Sequence, residues 1–535
     1  MTESSRWRER LARQTMTSAR LSRRDLGRFA LAAGIGLGIG NELFVAARAD
    51  TPKRGGTFRM GIGAGSTTDS LDPGTWNNQF TAPFGQAFFG ACLTEIDQKN
   101  LVQPNLAESF EPADRAARWI FKLRKGLTFH NGKSVTPADV VATYNFHLDK
   151  SSKSAAKGVI SGISEVKSDG TETVIFILKS GNADFPYLVS DYHLPIYPAK
   201  DGSGIDWEKG MGAGPFILES FQPGVQATAK RNPNYHKTGK PYFDEVKLLA
   251  ILDDAARNNA LLSGDIDYSD RPDPKMLDLL KKNPEIVIDS VTGTYQYHAL
   301  MNVTVAPFDN VDVRSALKYA IDREEIVQKI QRGYGKAGND NPIARKTKFA
   351  IEPEPIHKYD PDRVKFHLKK AGLQTLKVDF STSDAAFSGA VDASLLMQAK
   401  AAKAGIDINV IRESSDGYWD NVWMHKPFCM SYWGGRPTCD YAFSTLYTDD
   451  ATWNDTSWKN PRFNELVRTA RAETDDAKRQ TLYAEAQQII HDDGGLILLL
   501  FSDNVSARSK KLAHGELNSN FPNDGALLFE RWWFV

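Results

Sequence analysis

The stretch that decides the fold class is residues 119–139, with the sequence WIFKLRKGLTFHNGKSVTPAD. Its first six residues are mostly apolar and are followed by Lys125-Gly126, which predicts a short strand that ends in a turn. A helix is predicted soon afterwards, because Thr136 suits the N-cap, Pro137 the first helical position and Asp139 the first turn. A strand followed closely by a helix is typical of the α/β class.

The same alternation continues on both sides of this stretch. Further strands are predicted at residues 56–62, 173–178, 266–268, 406–411 and 496–501. Further helices are predicted at residues 253–262, from 312 onward, from 360 to a stop at Gly372, and at 394–404 and 475–490. The run at 496–501 is wholly apolar, as in a buried strand of a helix-covered sheet. The fold class is therefore α/β. With 535 residues, the chain exceeds the ~250–300 at which single cores stop growing, so two or more domains are expected.

The first 49 residues have the pattern of a twin-arginine export signal. Residues 22–26, SRRDL, precede an apolar run at 29–40, and Ala47-Arg48-Ala49 matches an A-x-A cleavage site. The run is shorter than the roughly 20 residues that span a bilayer, although an uncleaved anchor is the alternative. The sequence thus predicts a signal peptide over residues 1–49 and a periplasmic protein that begins near Asp50.

Charge and cysteine content restrict the classes of partner. The whole chain carries 66 basic and 66 acidic residues, and residues 1–49 hold nine arginines and four acids, which leaves 57 basic and 62 acidic residues. A mildly acidic chain without a basic stripe argues against nucleic acid as a partner. Cys92, Cys429 and Cys439 are too few for a disulfide scaffold. We expect small buried side chains, with a Cys429–Cys439 disulfide as the alternative.

Catalytic and metal-binding motifs are missing from the sequence. There is no G-x-S-x-G or H-E-x-x-H, and the cysteines lack metal-ligand spacing. The ten histidines are scattered along the chain. We therefore expect no enzyme activity, no metal site and no cofactor.

An ordered series of motifs along the mature chain carries a resemblance to a known family. The motifs are PNLAESF at 104–110, GLTFHNG at 126–132, TPADV at 136–140, GAGPF at 212–216, RNPNY at 231–235, ALLSGDID at 260–267, DVRSAL at 312–317 and YDP at 359–361. This series resembles the peptide/nickel-type extracellular solute-binding proteins, which deliver ligands to ABC importers.

The resemblance implies a two-lobed periplasmic-binding-protein clamshell with an extra subdomain in the N-terminal lobe. Lobe I would cover residues 50–300 with the extra subdomain at about 80–205, lobe II 301–500, and residues 501–535 would return to lobe I. A hinge needs only a few residues at the ends of elements, here near 300–302 and 501–503. The implied function is capture of peptides or of peptide-like or opine-like compounds for an inner-membrane ABC permease, by a protein expected to be a monomer.

The candidate ligand loop departs from the peptide-binding relatives. Those relatives place an acid three residues after a cleft tryptophan, where it pairs with the α-ammonium group of the ligand. Here Trp433 matches the tryptophan, but Arg436 holds the position of the acid. A guanidinium repels an ammonium group and suits a carboxylate or phosphate. We therefore expect Arg436 to anchor an anionic group, while Gly434 and Gly435 let the backbone approach the ligand.

Several alternatives remain open from the sequence. Arg436 could instead pair with an internal acid such as Asp440, or Asp440 could itself bind an ammonium group. The ligand could be a peptide, an opine-like conjugate, an anionic sugar conjugate or a metal chelate. A chemoreceptor accessory and a periplasmic hydrolase are the alternatives outside transport.

Aromatic residues supply the remaining site candidates. Tyr432 precedes Trp433 in the loop, and Trp419 lies shortly before it with Tyr418 and Trp423. Aromatic walls supply stacking surface for ligands, but spacing on one helical face equally fits a core. The loop after the first strand contributes Trp76 and Asn77 as candidates from the other lobe.

Overall fold

The computed structural model describes residues 52–200, 204–415, 417–451 and 453–535. The predicted export signal therefore lies outside the described residues. All elements below belong to one unit, Lys53–Phe534. None of the described helices is both long and apolar enough to cross a bilayer.

The strands follow the predicted alternation with the helices. In chain order they are β1 (Thr57–Ile62), β2 (Thr94–Ile96), β3 (Val102–Pro104), β4 (Ala107–Ala113), β5 (Arg118–Leu123), β6 (Ile163–Asp169), β7 (Thr173–Leu178), β8 (Phe216–Gln222), β9 (Gln226–Arg231), β10 (Glu245–Ala250), β11 (Tyr268–Asp270), β12 (Ile286–Met301), β13 (Gly335–Ala337), β14 (Leu376–Thr382), β15 (Ile406–Arg412), β16 (Phe428–Trp433), β17 (Leu496–Ser509), β18 (Leu512–Ala513) and β19 (Trp533–Phe534).

The helices connect these strands and cover the sheets. They are α1 (Pro137–Leu148), α2 (Ala156–Val159), α3 (Phe185–Leu188), α4 (Asp254–Ser263), α5 (Pro274–Leu280), α6 (Val311–Tyr319), α7 (Arg323–Lys329), α8 (Pro361–Lys370), α9 (Ala390–Ala402), α10 (Tyr418–Asn421), α11 (Cys439–Leu446), α12 (Pro461–Ala472), α13 (Asp476–Asp493) and α14 (Leu528–Arg531).

The capping signals in the sequence locate several helix ends correctly. Thr136 and Asp139 form a reciprocal capping box at the start of α1, with Pro137 in the first turn. The side chain of Asp360 accepts hydrogen bonds from two backbone amides at the start of α8. Gly264 ends α4 with φ 82°, a backbone conformation that glycine adopts without steric cost. These predicted helices are confirmed to within a few residues.

One large sheet runs through most of the molecule. Among the described residues it has eleven strands in the order β15-β14-β16-β12-β17-β11-β1-β10-β9-β8, with β13 added to β17. β1 lies between β10 and β11 and is parallel to both. β14 and β15 are also parallel, because α9 carries the chain across between them. A separate antiparallel sheet, β4-β5-β7-β6, lies within residues 107–178.

β12 and β17 are the longest described strands and form the middle of the large sheet. They pair antiparallel from Ile286 opposite Ser509 to Leu300 opposite Leu496. The register shifts between Thr292 and Gln296 and again between Tyr297 and His298, and the first of these shifts leaves three residues of β12 unpaired with β17. The sequence predicted only the apolar part of β17. The polar part, residues 502–509, was missed because its pairing with β12 and β11 is long-range.

Separate hydrophobic cores lie on the two sides of the first register shift. One group includes a core around Phe58, Val246 and Phe529 and a core around Phe121 and Phe176. We call the part built on these cores the first lobe. The other group includes a core with Leu317, Phe380 and Phe428 and a core with Phe443, Phe463 and Tyr483. We call that part the second lobe. The residue boundaries of the lobes stay predictions.

The three cysteines are free and buried. The interpretation of these residues as small core side chains is confirmed, and the alternative Cys429–Cys439 disulfide is wrong. Burial raises the pKa of Cys429 to about 12, so its sulfur is a neutral thiol at ordinary pH.

Replacement of Phe58 by alanine should lower the free energy of unfolding by about 3–5 kcal/mol. The Phe58 ring is fully buried, 4.8 Å from the Phe243 ring and 5.3 Å from the Phe529 ring between centroids, so its loss leaves a cavity. Equilibrium urea unfolding measures the change. Phe366→Ala is the control, because that ring is 56% exposed and its removal should cost less than about 0.5 kcal/mol. Equal losses at both positions would contradict this assignment of the core.

Candidate ligand-binding site

The candidate loop connects the end of β16 to the start of α11. β16 is held by antiparallel pairing with β12, which sets Trp433 opposite Gln296 and Tyr432 opposite Tyr297. The side chain of Thr438 caps α11 by accepting a hydrogen bond from the Tyr441 amide at 3.1 Å. Both ends of the loop are therefore fixed by regular structure, and the candidate residues 434–437 lie between them.

Position 435 requires a glycine because the loop packs closely against β12. A Cβ atom at this position would lie 1.5 Å from the Thr294 hydroxyl oxygen, closer than any real contact. Thr294 lies within the register shift of β12, and its hydroxyl donates to the carbonyl of Asn520 at 2.9 Å. Thr294 thus occupies the space that a side chain at position 435 would need, while Gly435 itself lines a cavity of about 340 Å³, so the approach of its backbone to a ligand stays a prediction. A Cβ at Gly434 would meet only ordinary contacts.

Arg436 has no carboxylate partner within salt-bridge distance among the described residues. Its Nη1 donates weakly to the carbonyls of Gly434 and Gly435, at 3.2 and 3.3 Å. Its guanidinium carbon lies 5.8 Å from the Trp433 ring and 5.2 Å from the Tyr441 ring, in cation–π range. Its Nε is buried without a hydrogen-bond partner. A buried unpaired N–H donor is costly and is usually satisfied by a partner.

Asp440 is engaged elsewhere. Its Oδ1 accepts a hydrogen bond from Nε of Arg471 at 2.7 Å, and only 5% of the residue is exposed. The alternative that Arg436 pairs with Asp440 is therefore wrong. Burial raises the pKa of Asp440, and the charge of Arg471 acts in the opposite direction.

Arg436 lines two neighbouring cavities. One has a volume of about 480 Å³ and the other about 340 Å³, and Tyr441 lines both. Their walls come from both lobes: Ala155, Val159 and Leu188 from the first and Arg436 and Tyr441 from the second. These volumes are those of ordinary small-molecule sites. A larger cavity of about 810 Å³ is lined mainly by residues 322–359 and does not include Arg436.

The first-lobe wall of the smaller cavity contains an ion pair. Asp191 Oδ1 lies 2.6 Å from Nδ1 of His193, and Nε2 of His193 lies 2.6 Å from the carbonyl oxygen of Trp76. Both ring nitrogens therefore face acceptors, an arrangement that favours the imidazolium form of His193. Burial alone would lower the pKa of His193, but Asp191 and the Trp76 carbonyl raise it. Tyr192 stacks on the His193 ring with centroids 4.0 Å apart.

Tryptophans form a wall on the second-lobe side. Trp423 stacks on Trp453, with 5.5 Å between ring centroids, and packs edge-on against Trp433 at 5.8 Å. Asp455 supports this group, because its Oδ2 accepts from the indole nitrogens of Trp433 at 2.8 Å and Trp423 at 3.2 Å. Trp453 is 43% exposed and lines the larger of the two cavities. We call Trp423, Trp433 and Trp453 the tryptophan cluster.

Three other candidates lie apart from Arg436. Trp76 is a correction: it is buried in the first-lobe core, and its indole nitrogen donates to the Ser70 carbonyl at 2.9 Å. Asn77 is exposed and accepts a hydrogen bond from Asn78. Trp419 packs edge-on against Tyr432, with centroids 5.4 Å apart, as part of the aromatic surface that leads to the loop.

Direct contacts join the lobes beside the cavities. The amide of Ala183 donates to the carbonyl of Arg471 at 2.7 Å. Arg479 and Asp184, both almost fully buried, form an ion pair at 2.7 Å. Removal of one partner from such a pair would leave an uncompensated buried charge. The lobes are thus held together next to the site.

The described residues contain no group of three or more His, Cys, Asp or Glu that could hold a metal ion. Three first-lobe residues that line the smaller cavity, Gln86, Asp191 and Tyr192, were not predicted from the sequence. The only sequence signal there is a polar and aromatic stretch at residues 190–193. Arg436, which lines the same cavity, lies more than 200 residues further along the chain.

The carboxyl of Asp455 makes stability depend on pH. Burial raises its pKa to about 6, although both indole donors act to lower it. The unfolded value is about 3.9, so this group favours the folded state most below pH ~4, and that contribution is lost as the pH rises to about 6. Asp455→Asn removes the titration and keeps an acceptor. We expect the stability of the variant relative to the wild type to rise by about 2–3 kcal/mol between pH 4 and pH 6.5.

Urea unfolding at a series of pH values measures this difference. Asp379→Asn, at an exposed carboxyl, is the control for the loss of one negative charge. A constant difference between wild type and Asp455→Asn across that range would show that Asp455 is ionised throughout it.

Comparisons with known proteins agree with this architecture. A protein of Helicobacter pylori, described as the ABC transporter-associated periplasmic binding protein DppA in complex with peptide STSA, superposes with a TM-score of 0.70 at 22% identity, over 90% of this chain and 99% of its own. That likeness shows the two-lobed fold of the periplasmic binding proteins.

Curated relatives and a family profile match at the level of sequence. The di/tripeptide-binding protein 1 of Pseudomonas aeruginosa is 27% identical over 75% of this chain and 81% of its own length. The glutathione-binding protein GsiB of Pectobacterium atrosepticum is 25% identical over 84% and 90%. The profile described as "Bacterial extracellular solute-binding proteins, family 5 Middle" matches residues 102–455. The chain therefore belongs to family 5 of the bacterial extracellular solute-binding proteins.

Proposed function

We propose that this chain is the periplasmic binding component of an ABC importer, and that it captures peptides or peptide-like compounds for an inner-membrane permease. The observation that carries the proposal is Arg436. Its guanidinium lies between the lobes, lines both cavities and has no carboxylate partner among the described residues. A cation left unpaired in a cleft is a ready site for an anionic group of a ligand.

The relatives support the class of ligand. Their names specify dipeptides or tripeptides in one case and glutathione in another. All of these compounds carry a free carboxylate at neutral pH, which the planar guanidinium of Arg436 can bind through two parallel hydrogen bonds. The tryptophan cluster beside Arg436 offers apolar surface for the rest of such a molecule.

The proposed transport cycle uses the two lobes as a clamshell. Lobe I would cover residues 50–300, with the extra subdomain at about 80–205, and lobe II residues 301–500. Residues 501–535 would return to lobe I. A ligand held between the lobes stabilises the closed form by its higher affinity for that form. The protein would leave the cytoplasm by the twin-arginine route, act as a monomer, bind without catalysis and present its closed form to the permease.

Arg436→Gln should weaken binding of a carboxylate ligand by about 10- to 100-fold, because a charge-assisted hydrogen bond contributes roughly 1.5–3 kcal/mol. The mature protein would be screened by thermal shift against dipeptides, tripeptides and glutathione. The affinity of the tightest binder would then be measured for both proteins by calorimetry.

Arg462→Gln is the matched control. Arg462 is half exposed and paired with Glu465 and Glu485, away from the residues that line the two cavities. Its replacement should leave the affinity unchanged. Binding that survives unaltered in Arg436→Gln would remove Arg436 from the site. Failure of every compound in the screen to bind would overturn the proposed ligand class.

A further inference from the structure

The two walls of the smaller cavity differ in the hydrogen-bonding groups that they leave unused. On the first-lobe wall, Gln86 Nε2 donates to the Ser190 carbonyl, and Gln86 Oε1 is buried without a partner. Asp191 uses Oδ1 for both of its contacts with His193, while Oδ2 has no hydrogen-bond partner among the described residues. Both unused atoms are acceptors. Gln86 Oε1 and Asp191 Oδ2 therefore each need a hydrogen-bond donor that the described residues do not supply.

On the second-lobe wall, the unused hydrogen-bonding groups are donors of Arg436. Arg436 turns Nη1 toward the carbonyls of its own loop. Nε is buried and unpartnered, and Nη2 makes no hydrogen bond with any described residue. Nε–H and Nη2–H are the two parallel donors of one edge of a guanidinium, a geometry that matches the two oxygens of a carboxylate. Nε and Nη2 of Arg436 therefore need an acceptor that the described residues do not supply.

Tyr441 lines the same cavity as Asp191 of the first-lobe wall and Arg436 of the second-lobe wall. Burial raises the pKa of its hydroxyl; the positive charge of Arg436 lowers that pKa and the negative charge of Asp191 raises it. Both charges are thus close enough to act on a single hydroxyl group. The cavity that contains all three residues has a volume of about 340 Å³.

We propose that the ligand is zwitterionic and bridges the lobes, with its ammonium group on Asp191 and its carboxylate on Arg436. This inference rests on the proposed function and adds to it a second binding residue, a ligand class and an orientation. The amine end faces the first lobe, with Gln86 Oε1 as a further acceptor for its N–H groups. The carboxylate end faces the second lobe, so the ligand completes the hydrogen bonding of both walls only when they are closed on it.

The ion pair with His193 does not remove Asp191 from this role. The imidazolium occupies one carboxylate oxygen and fixes the orientation of the carboxyl, while the other oxygen is left for the ligand. About a fifth of the Asp191 side chain is exposed, so a ligand can reach it. A purely anionic ligand would satisfy Arg436 and leave the acceptors of the first-lobe wall unpaired, which is costly in a closed cleft.

The test uses the wild-type mature protein and chemically matched ligands. Dipeptides of the forms Xaa-Phe and Phe-Xaa would be prepared free, N-methylated, N-acetylated and as C-terminal amides. N-acetylation removes the positive charge, whereas N-methylation adds bulk and keeps it. We expect N-acetylation and C-amidation each to weaken binding by about 10- to 100-fold, and N-methylation by much less. Calorimetry gives the affinities.

Two variants then test which residue binds each end of the ligand. In Asp191→Asn the ratio of affinities for free and N-acetylated peptide should fall toward one, while the ratio for free peptide and amide is kept. Arg436→Gln should show the reverse. These ratios are taken within one protein, so a general loss of stability does not imitate the result.

The outcomes separate this inference from the proposed function. Free peptides that bind no better than their N-acetyl forms would overturn the zwitterion inference and leave peptide capture intact. The zwitterion inference also fails, with peptide capture again intact, if Asp191→Asn weakens binding of the free and N-acetylated forms equally. Absence of binding by every dipeptide, with or without blocked ends, would overturn both proposals.

Discussion

The pairing of β12 with β17 is the constraint on which the rest of the structure depends. These two strands carry the chain between the cores of the two lobes, and they hydrogen-bond to each other on both sides of the register shift at residues 292–296. At this shift Thr294 packs against the candidate loop, and its side chain leaves room only for a glycine at position 435. The strand pair that joins the lobes therefore also fixes the loop that carries Arg436.

The ion pairs around the cleft explain why Arg436 has no carboxylate partner among the described residues. Asp440 is neutralised by Arg471, and Asp184 by Arg479, each within 2.7 Å. Those pairs satisfy buried carboxylates that would otherwise attract a free guanidinium. Arg436 is left with weak contacts to two carbonyls and two aromatic rings. Local ion pairing thus leaves the charge of Arg436 unpaired at the position where the sequence departs from the acid of the peptide-binding relatives.

Local signals in the sequence predicted much of the fold and part of the site. The caps of α1, α4 and α8, the β7 strand and the family resemblance all depend on neighbouring residues. The polar half of β17 and the burial of Trp76 could not be predicted, because both result from contacts distant in sequence. Asp191 was missed for the same reason: nothing near it in the chain indicates that Arg436, far along the sequence, will line the same cavity.

The tryptophan cluster gives this protein a property that is independent of its affinity. Its indole rings lie about 6 Å apart or less in the closest pairs, and Asp455 fixes two of them by hydrogen bonds to their ring nitrogens. Indole emission responds to polarity and charge close to the ring. Because the Arg436 guanidinium lies 5.8 Å from the Trp433 ring, we expect a molecule bound beside Arg436 to change the ultraviolet fluorescence of the unmodified chain and so to report its own binding.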